Sequence, residues 1–208
     1  MLYLSGIILI VYLLVLAIIS FRNRRNFDTA HSIIFYVINF ALISEILLRL
    51  CAWYFRNNIL LYNLFNLIEF LFFFYFYFKF IGRNLSKYTY LLILMITLIF
   101  YFSEFISRGV FSLLCYSFIY KNAVLILLSI LAFRKVINSP KSELITDYSI
   151  FWINISVLIY YSTTFFIFGL RKYTASLYSL SNAVVYVHIL FIFVFYGLLS
   201  VGLWKVKK

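Results

Sequence analysis

Glu45, Arg49, Glu69 and Lys121 are charged residues set inside long apolar runs, and they are where this chain could do chemistry. Glu69 belongs to the aromatic stretch Tyr62 to Phe80, which also holds Asn63 and Asn66. A carboxylate in such a stretch is tolerated only where another group answers it, because an unpaired charge at the bilayer centre costs about 2.5–3.5 kcal/mol on insertion scales. Read as a helix, Asn63, Asn66 and Glu69 form a stripe roughly 120° wide that Phe73 continues. Lys121, followed by Asn122, lies at a depth in its own run close to that of Glu69, so a Glu69 to Lys121 pair is expected.

Other polar residues extend this set. Glu45 and Arg49 are four apart in the favourable order, in the outer third of their run, where they either face the interior or snorkel to water. His188 falls near the middle of the last run and Asn182 in its outer part, although a lone helical His is commonly a hydrogen-bonded core residue. Tyr160, Tyr161, Ser162, Thr163 and Thr164 cross the middle of the sixth run, with Asn154 nearer the cytoplasm, and hydroxyls there often bond their own backbone. The expected ligand-binding or ion-path set is therefore Glu69, Lys121, Asn63, Asn66, Asn122, His188, Asn182, Glu45 and Arg49. The alternative is a polar zipper that only fixes helix packing.

No catalytic set, metal site or cofactor is expected. There is no HExxH, no GxSxG and no paired aspartate motif. Cys51 and Cys115 show no CxxC or Cys/His spacing. Both fall near the expected outer face, which permits a disulfide as well as two buried thiols. The last run has no lysine for a retinal Schiff base, and Pro140, the only proline, is in a loop.

The elements that must position these residues follow from composition. The chain has 208 residues, 66% of them hydrophobic and 12% charged, with mean hydropathy +1.05, and lacks the charged surface of a soluble fold. Spanning about 30 Å of hydrocarbon takes roughly 20 helical residues. Seven runs fit, near 2–20, 32–51, 59–80, 88–106, 110–133, 149–170 and 179–203. The expectation is an all-α, polytopic membrane helix bundle in one membrane-embedded domain. The first run is read as a retained helix rather than a signal peptide, because Arg22, Arg24 and Arg25 follow it.

Charge sets the expected orientation. With the N-terminus out and the C-terminus in, the inner segments carry Arg22, Arg24 and Arg25, then Lys79, Arg83 and Lys87, then Arg134, Lys135 and Lys141, then Lys205, Lys207 and Lys208. These are twelve of the 18 basic residues, against five on the outer side, which satisfies the positive-inside rule. Trp53, Trp152 and Trp204 fall at span ends, as interfacial rings do. The first and fourth helices carry no charge within their spans, Glu104 lying at an end, and are expected to be peripheral.

The net charge of +12 is accounted for by these clusters, which suit anionic lipid head groups, and nucleic acid is not expected as a partner. The longest connection, 134–148, is the expected contact for a cytoplasmic protein, with a simple solvated loop as the alternative. An aromatic exterior suits lipid and a second copy of the chain equally. No helix contains proline and no GxxxG pair occurs, which argues against the broken helices of many transporters.

The Asn63, Asn66, Glu69 pattern and the bias toward Ile, Phe, Tyr, Asn and Lys resemble small, uncharacterised seven-helix integral membrane proteins of AT-rich bacterial genomes. The resemblance implies an inner-membrane, multi-pass protein and no particular activity. From the residues, the leading expectation is a receptor or regulatory protein that senses a small ligand or membrane state through a polar cluster open to the outer side. A channel or transporter, including a membrane-permeabilising defence effector, comes second, since a through-path needs more inner polarity than Asn154. A lipid-acting enzyme comes third.

Overall fold

The computed structural model describes residues 2–82, 86–109, 111–138, 145–174 and 178–206, with 2–5, 171–174 and 178–182 described by their backbone alone. Among these residues are seven α-helices: α1 (Leu2–Asn23), α2 (Thr29–Phe55), α3 (Ile59–Ile81), α4 (Lys87–Arg108), α5 (Cys115–Asn138), α6 (Ser149–Thr174) and α7 (Tyr178–Trp204). All seven are long and apolar enough to cross a membrane. The chain is an all-α, multi-pass membrane bundle.

Local chemistry sets the helix ends. Asp28 caps α2 by accepting from the His31 backbone N–H at 2.8 Å, and Arg56 ends it in the left-handed region at φ 54°. Gly82 and Gly109, at φ 62° and 83°, end α3 and α4 in a backbone that other residues rarely adopt. Gly109 and the turn after it also explain why α5 begins at Cys115, several residues beyond the expected start at 110. Most other helices run a few residues past their expected limits, because polar and basic ends continue the helix into the interface.

The connections are short, so successive helices run in opposite directions. Arg24, Arg25, Lys79, Lys87, Arg134, Lys135 and Lys205 therefore share one end of the bundle, here the basic end, and Arg49, Arg56 and Arg108 share the other. Arg83, Lys141, Lys207 and Lys208 lie outside the described residues, as do Pro140, Ser142 and Glu143 of the 134–148 connection.

Helices α2, α3, α5, α6 and α7 form a closed ring of neighbours, with α1 outside on α2 and α7, and α4 outside on α5. Inside the ring the two halves differ. Toward the basic end the centre is packed solid by Phe73, Phe76 and Tyr77 of α3, Leu125 of α5, Val157 of α6 and Leu199 of α7, all almost fully buried. A buried knot ties this half together: the Tyr77 hydroxyl donates to Asn154 Oδ1 at 2.8 Å, and Asn154 Nδ2 donates to the Ser129 carbonyl at 2.8 Å. α6 and α7 pack tightly at Gly202, where an added Cβ would meet Ile153 Cγ1 at 2.7 Å. Ser149 Oγ donates to the Gly202 carbonyl there.

Candidate functional site

The other half of the ring holds a half-enclosed cavity of about 80 Å³, room for a cluster of waters or a ligand of few heavy atoms. Its walls come from three helix faces with helical spacing. On α2 they are Val37, Ala41, Ser44, Glu45 and Leu48; on α3, Tyr62, Phe65, Asn66 and Glu69; on α7, His188, Ile192 and Tyr196. Phe40 of α2 and Tyr160 of α6 complete the lining. Glu69 is the eleventh of 23 residues of α3 and is followed by Phe70 and Phe73 of the packed half.

Lys121 reaches Glu69 from behind. Its Nζ is 3.9 Å from Glu69 Oε2, yet donates to Asn66 Oδ1 at 2.6 Å and to the Asn66 carbonyl at 3.3 Å. The ammonium also lies over the rings of Phe118 and Tyr161, at 5.3 and 5.7 Å. Burial of both groups makes this an internal charge pair, with the Lys121 ammonium hydrogen-bonded to Asn66, whose own Nδ2 donates to the Tyr62 carbonyl at 3.0 Å. Glu69 Oε1 accepts a long bond from the Tyr196 hydroxyl at 3.5 Å.

Near the mouth, Glu45 Oε2 is 3.5 Å from Arg49 Nη2 on the same helix. Arg49 does not line the cavity. Its guanidinium lies over Gly6 of α1, in the space that a side chain there would fill. His188 stacks on Tyr160 with centroids 6.0 Å apart, and its Nδ1 is buried without a hydrogen-bond partner.

The structure thus brings Glu45, Asn66, Glu69 and His188 together around the cavity, with Arg49 and Lys121 directly behind the two carboxylates. Asn63 and Asn122 are placed elsewhere. Asn63 is turned from Asn66 by three residues of helix and donates to the Ser112 carbonyl at 2.8 Å, while its own carbonyl accepts from the Tyr101 hydroxyl. Asn122, 100° around α5 from Lys121, donates to Thr164 Oγ1 at 3.0 Å. Both fix helix packing. The side chain of Asn182 lies outside the described residues.

Three groups have roles that their sequence positions did not suggest. Tyr196 lines the cavity eight residues after His188, and the repeat 188, 192, 196 was the available signal. Glu104, at the end of α4, caps α5 by accepting from the Tyr116 N–H at 3.2 Å and from the Ser117 N–H and Oγ at 2.7 Å, and pairs with Arg108 at 3.2 Å. Lys135, on α5, donates to the Phe80 and Ile81 carbonyls at 2.5 and 3.3 Å, capping the end of α3.

Among the described residues, no three His, Cys, Asp or Glu side chains converge on a metal-sized site. Cys51 and Cys115 are each partly buried and not joined by a disulfide. No family model matches the chain, and neither a curated protein nor a solved structure matches it.

Proposed function

We propose that this chain is a receptor or regulatory protein of a bacterial inner membrane, with its N-terminus outside and C-terminus in the cytoplasm, which binds a small ligand in the cavity between α2, α3, α6 and α7. The observation that carries this reading is that the basic half of the ring is filled by buried aromatic and aliphatic side chains, so the cavity beside it does not continue through that half. A binding site needs a mouth and a floor, whereas a permeation path needs both ends open.

The orientation rests on the basic end facing the cytoplasm, where its Lys and Arg side chains meet anionic head groups. The cavity then opens outward. Its floor connects with the inner face through α3 itself, whose last carbonyls are held by Lys135 at the start of the 134–148 connection. The described end of that connection is tied to the bundle by Lys205 to Asp147 at 3.3 Å and by Trp152 Nε1 donating to the Thr146 carbonyl at 2.8 Å. A ligand that moves α3 against α5 changes this connection, where a cytoplasmic partner, or a second copy, reads it.

The test has two parts. In a Cys51→Ser/Cys115→Ser background, Leu48→Cys at the mouth is expected to react in intact cells with a membrane-impermeant thiol reagent added outside. Proteoliposomes of the wild type, Glu69→Gln and Lys121→Met are expected to show no ion or dye flux. Flux that either substitution alters would move the protein to the channel or transporter class. Labelling only from the cytoplasmic side would invert the topology.

A further inference from the structure

We infer that the ligand of this cavity is a small organic ammonium cation, an inference that rests on reading the cavity as a ligand site. The arrangement of charge carries it. The two carboxylates, Glu45 and Glu69, line the cavity, but their cationic partners do not. Arg49 is drawn away onto Gly6 of α1, and Lys121 is held behind Asn66. A ligand entering from the mouth therefore meets acidic oxygens at the rim and again at the floor, with the positive charges screened by the wall.

Neither carboxylate is saturated. Charge-assisted N–H to carboxylate bonds are about 2.7–2.9 Å long. Glu45 and Glu69 stand 3.5 and 3.9 Å from their cationic partners; Glu69 also faces two hydroxyls, that of Tyr196 at 3.5 Å and that of Tyr161. Each carboxylate thus keeps acceptor capacity for an incoming N–H. The walls between them are rich in aromatic residues, with Tyr62, Phe65, Tyr160 and Tyr196 in the lining. Ring faces attract cations, and their apolar area suits the carbon substituents of an amine. His188 lines the cavity beside Tyr160, its Nδ1 buried without a hydrogen-bond partner.

The other ligand classes fit less well. An anion would approach two carboxylates in a water-poor site. A neutral molecule can donate an O–H or N–H to a carboxylate, but without the charge assistance that makes an ammonium bond about twice as strong. A divalent metal prefers a converging set of oxygen or nitrogen ligands, which the two separated carboxylates do not make. The volume of about 80 Å³ limits the guest to a few heavy atoms.

The test uses the purified full chain in phosphatidylcholine and phosphatidylglycerol nanodiscs, at constant ionic strength. Ethylammonium, trimethylammonium, propionate and 1-propanol are each titrated while thermal unfolding is followed. The two ammonium ions are expected to raise the unfolding temperature saturably, and propionate and propanol to have no such effect. Glu45→Gln, and separately the charge-balanced pair Glu69→Gln/Lys121→Met, are expected to weaken the ammonium response about ten-fold, the loss of one charge-assisted bond. Ile192→Trp, which fills the cavity, is expected to abolish it.

An ammonium response left intact in both charge variants would overturn the assignment, as would the absence of any response in the wild type. If propionate or propanol binds instead, and Ile192→Trp blocks it, the ligand class is wrong while the cavity stands as a receptor site. If Ile192→Trp changes no response, or the liposomes conduct, the receptor reading fails as well.

Discussion

The Arg49 guanidinium lies over the backbone of Gly6, in the space that a side chain on α1 would otherwise fill. The contact links a helix outside the ring to Glu45 at the cavity mouth through a single side chain. Gly6→Ala puts a methyl group where the guanidinium sits. The flexible tip of Arg49 yields, at a cost of about 1 kcal/mol and with loss of its ion pair to Glu45. In an Arg49→Ala background the obstruction is gone, and the same substitution becomes stabilising by about 0.5–1 kcal/mol through helix propensity. A double-mutant cycle on unfolding in nanodiscs reads this reversal of sign, and equal effects in both backgrounds would show that the contact does not hold α1.

The internal pair makes a steeper prediction. Lys121→Met leaves Glu69 in the middle of the ring without its cation, and removing one member of a buried pair typically costs about 3–5 kcal/mol. Adding Glu69→Gln to that variant restores much of the loss, because no uncompensated charge remains. The Asn66 side chain, 2.6 Å from Lys121, has a share in the coupling, so Asn66→Leu alone is also destabilising. Unfolding of the four variants by graded denaturing detergent measures these differences.

Which parts of this were legible in the sequence depends on how far each interaction reaches. Seven spans and their alternating charge follow from local composition, and Glu69 with Lys121 from the depth of two charges. The faces of the helices were readable less sharply. Asn63, Asn66 and Glu69 look like one stripe, yet Tyr62, Asn66 and Glu69, spaced three and four apart, are the line that meets the cavity. Asn63 points to the α4–α5 turn because Ser112 waits there, and nothing local announces that partner. Glu104 and Lys135 look like interfacial charges for the same reason: each caps another helix, whose position only the packed bundle defines.

The cap formed by Glu104 leads to a third prediction. Its carboxylate takes two backbone donors and the Ser117 hydroxyl at the start of α5, where no local side chain serves. Glu104→Ala strands these donors and costs about 1–2 kcal/mol, in line with the loss of an N-cap. Amide hydrogen exchange at Tyr116 and Ser117 should accelerate more than exchange at Leu125, deep in the same helix. Uniform acceleration along α5 would assign the effect to global stability instead.

Asp28, outside the spans, gives the pH dependence. Burial alone raises its carboxyl, but the His31 backbone N–H, the His31 ring and the Ala30 N–H together outweigh this and hold it below the ordinary carboxylate value. A lowered native value contributes stability that is fully present above the unfolded value, about 3.9, and is lost as pH falls through the native one. Asp28→Asn keeps a capping side chain but does not titrate. The difference in unfolding temperature between wild type and Asp28→Asn should therefore rise from acid pH to a plateau above about pH 5. The side chain is 65% exposed, so the rise is small. A difference independent of pH would show that the carboxylate carries no net coupling to folding.

The knot of Tyr77, Asn154 and Ser129 separates what holds the inner half together from what seals it. Tyr77→Phe removes one donor and leaves Asn154 Oδ1 unmet, a loss of about 0.6–1.7 kcal/mol for a hydrogen bond between membrane helices. Asn154→Leu strands the Tyr77 hydroxyl and removes the side-chain donor to the Ser129 carbonyl, so it costs more. Neither substitution opens a path, because the barrier below Glu69 is the packing of Phe73, Phe76, Val157 and Leu199, which both leave in place. Liposomes bearing either variant should therefore stay as impermeable as those with wild type, although the protein unfolds more readily. Conductance appearing on the loss of one hydrogen bond would mean that a hydrated path lies close to the resting state, and would favour a gated pore over a blind receptor pocket.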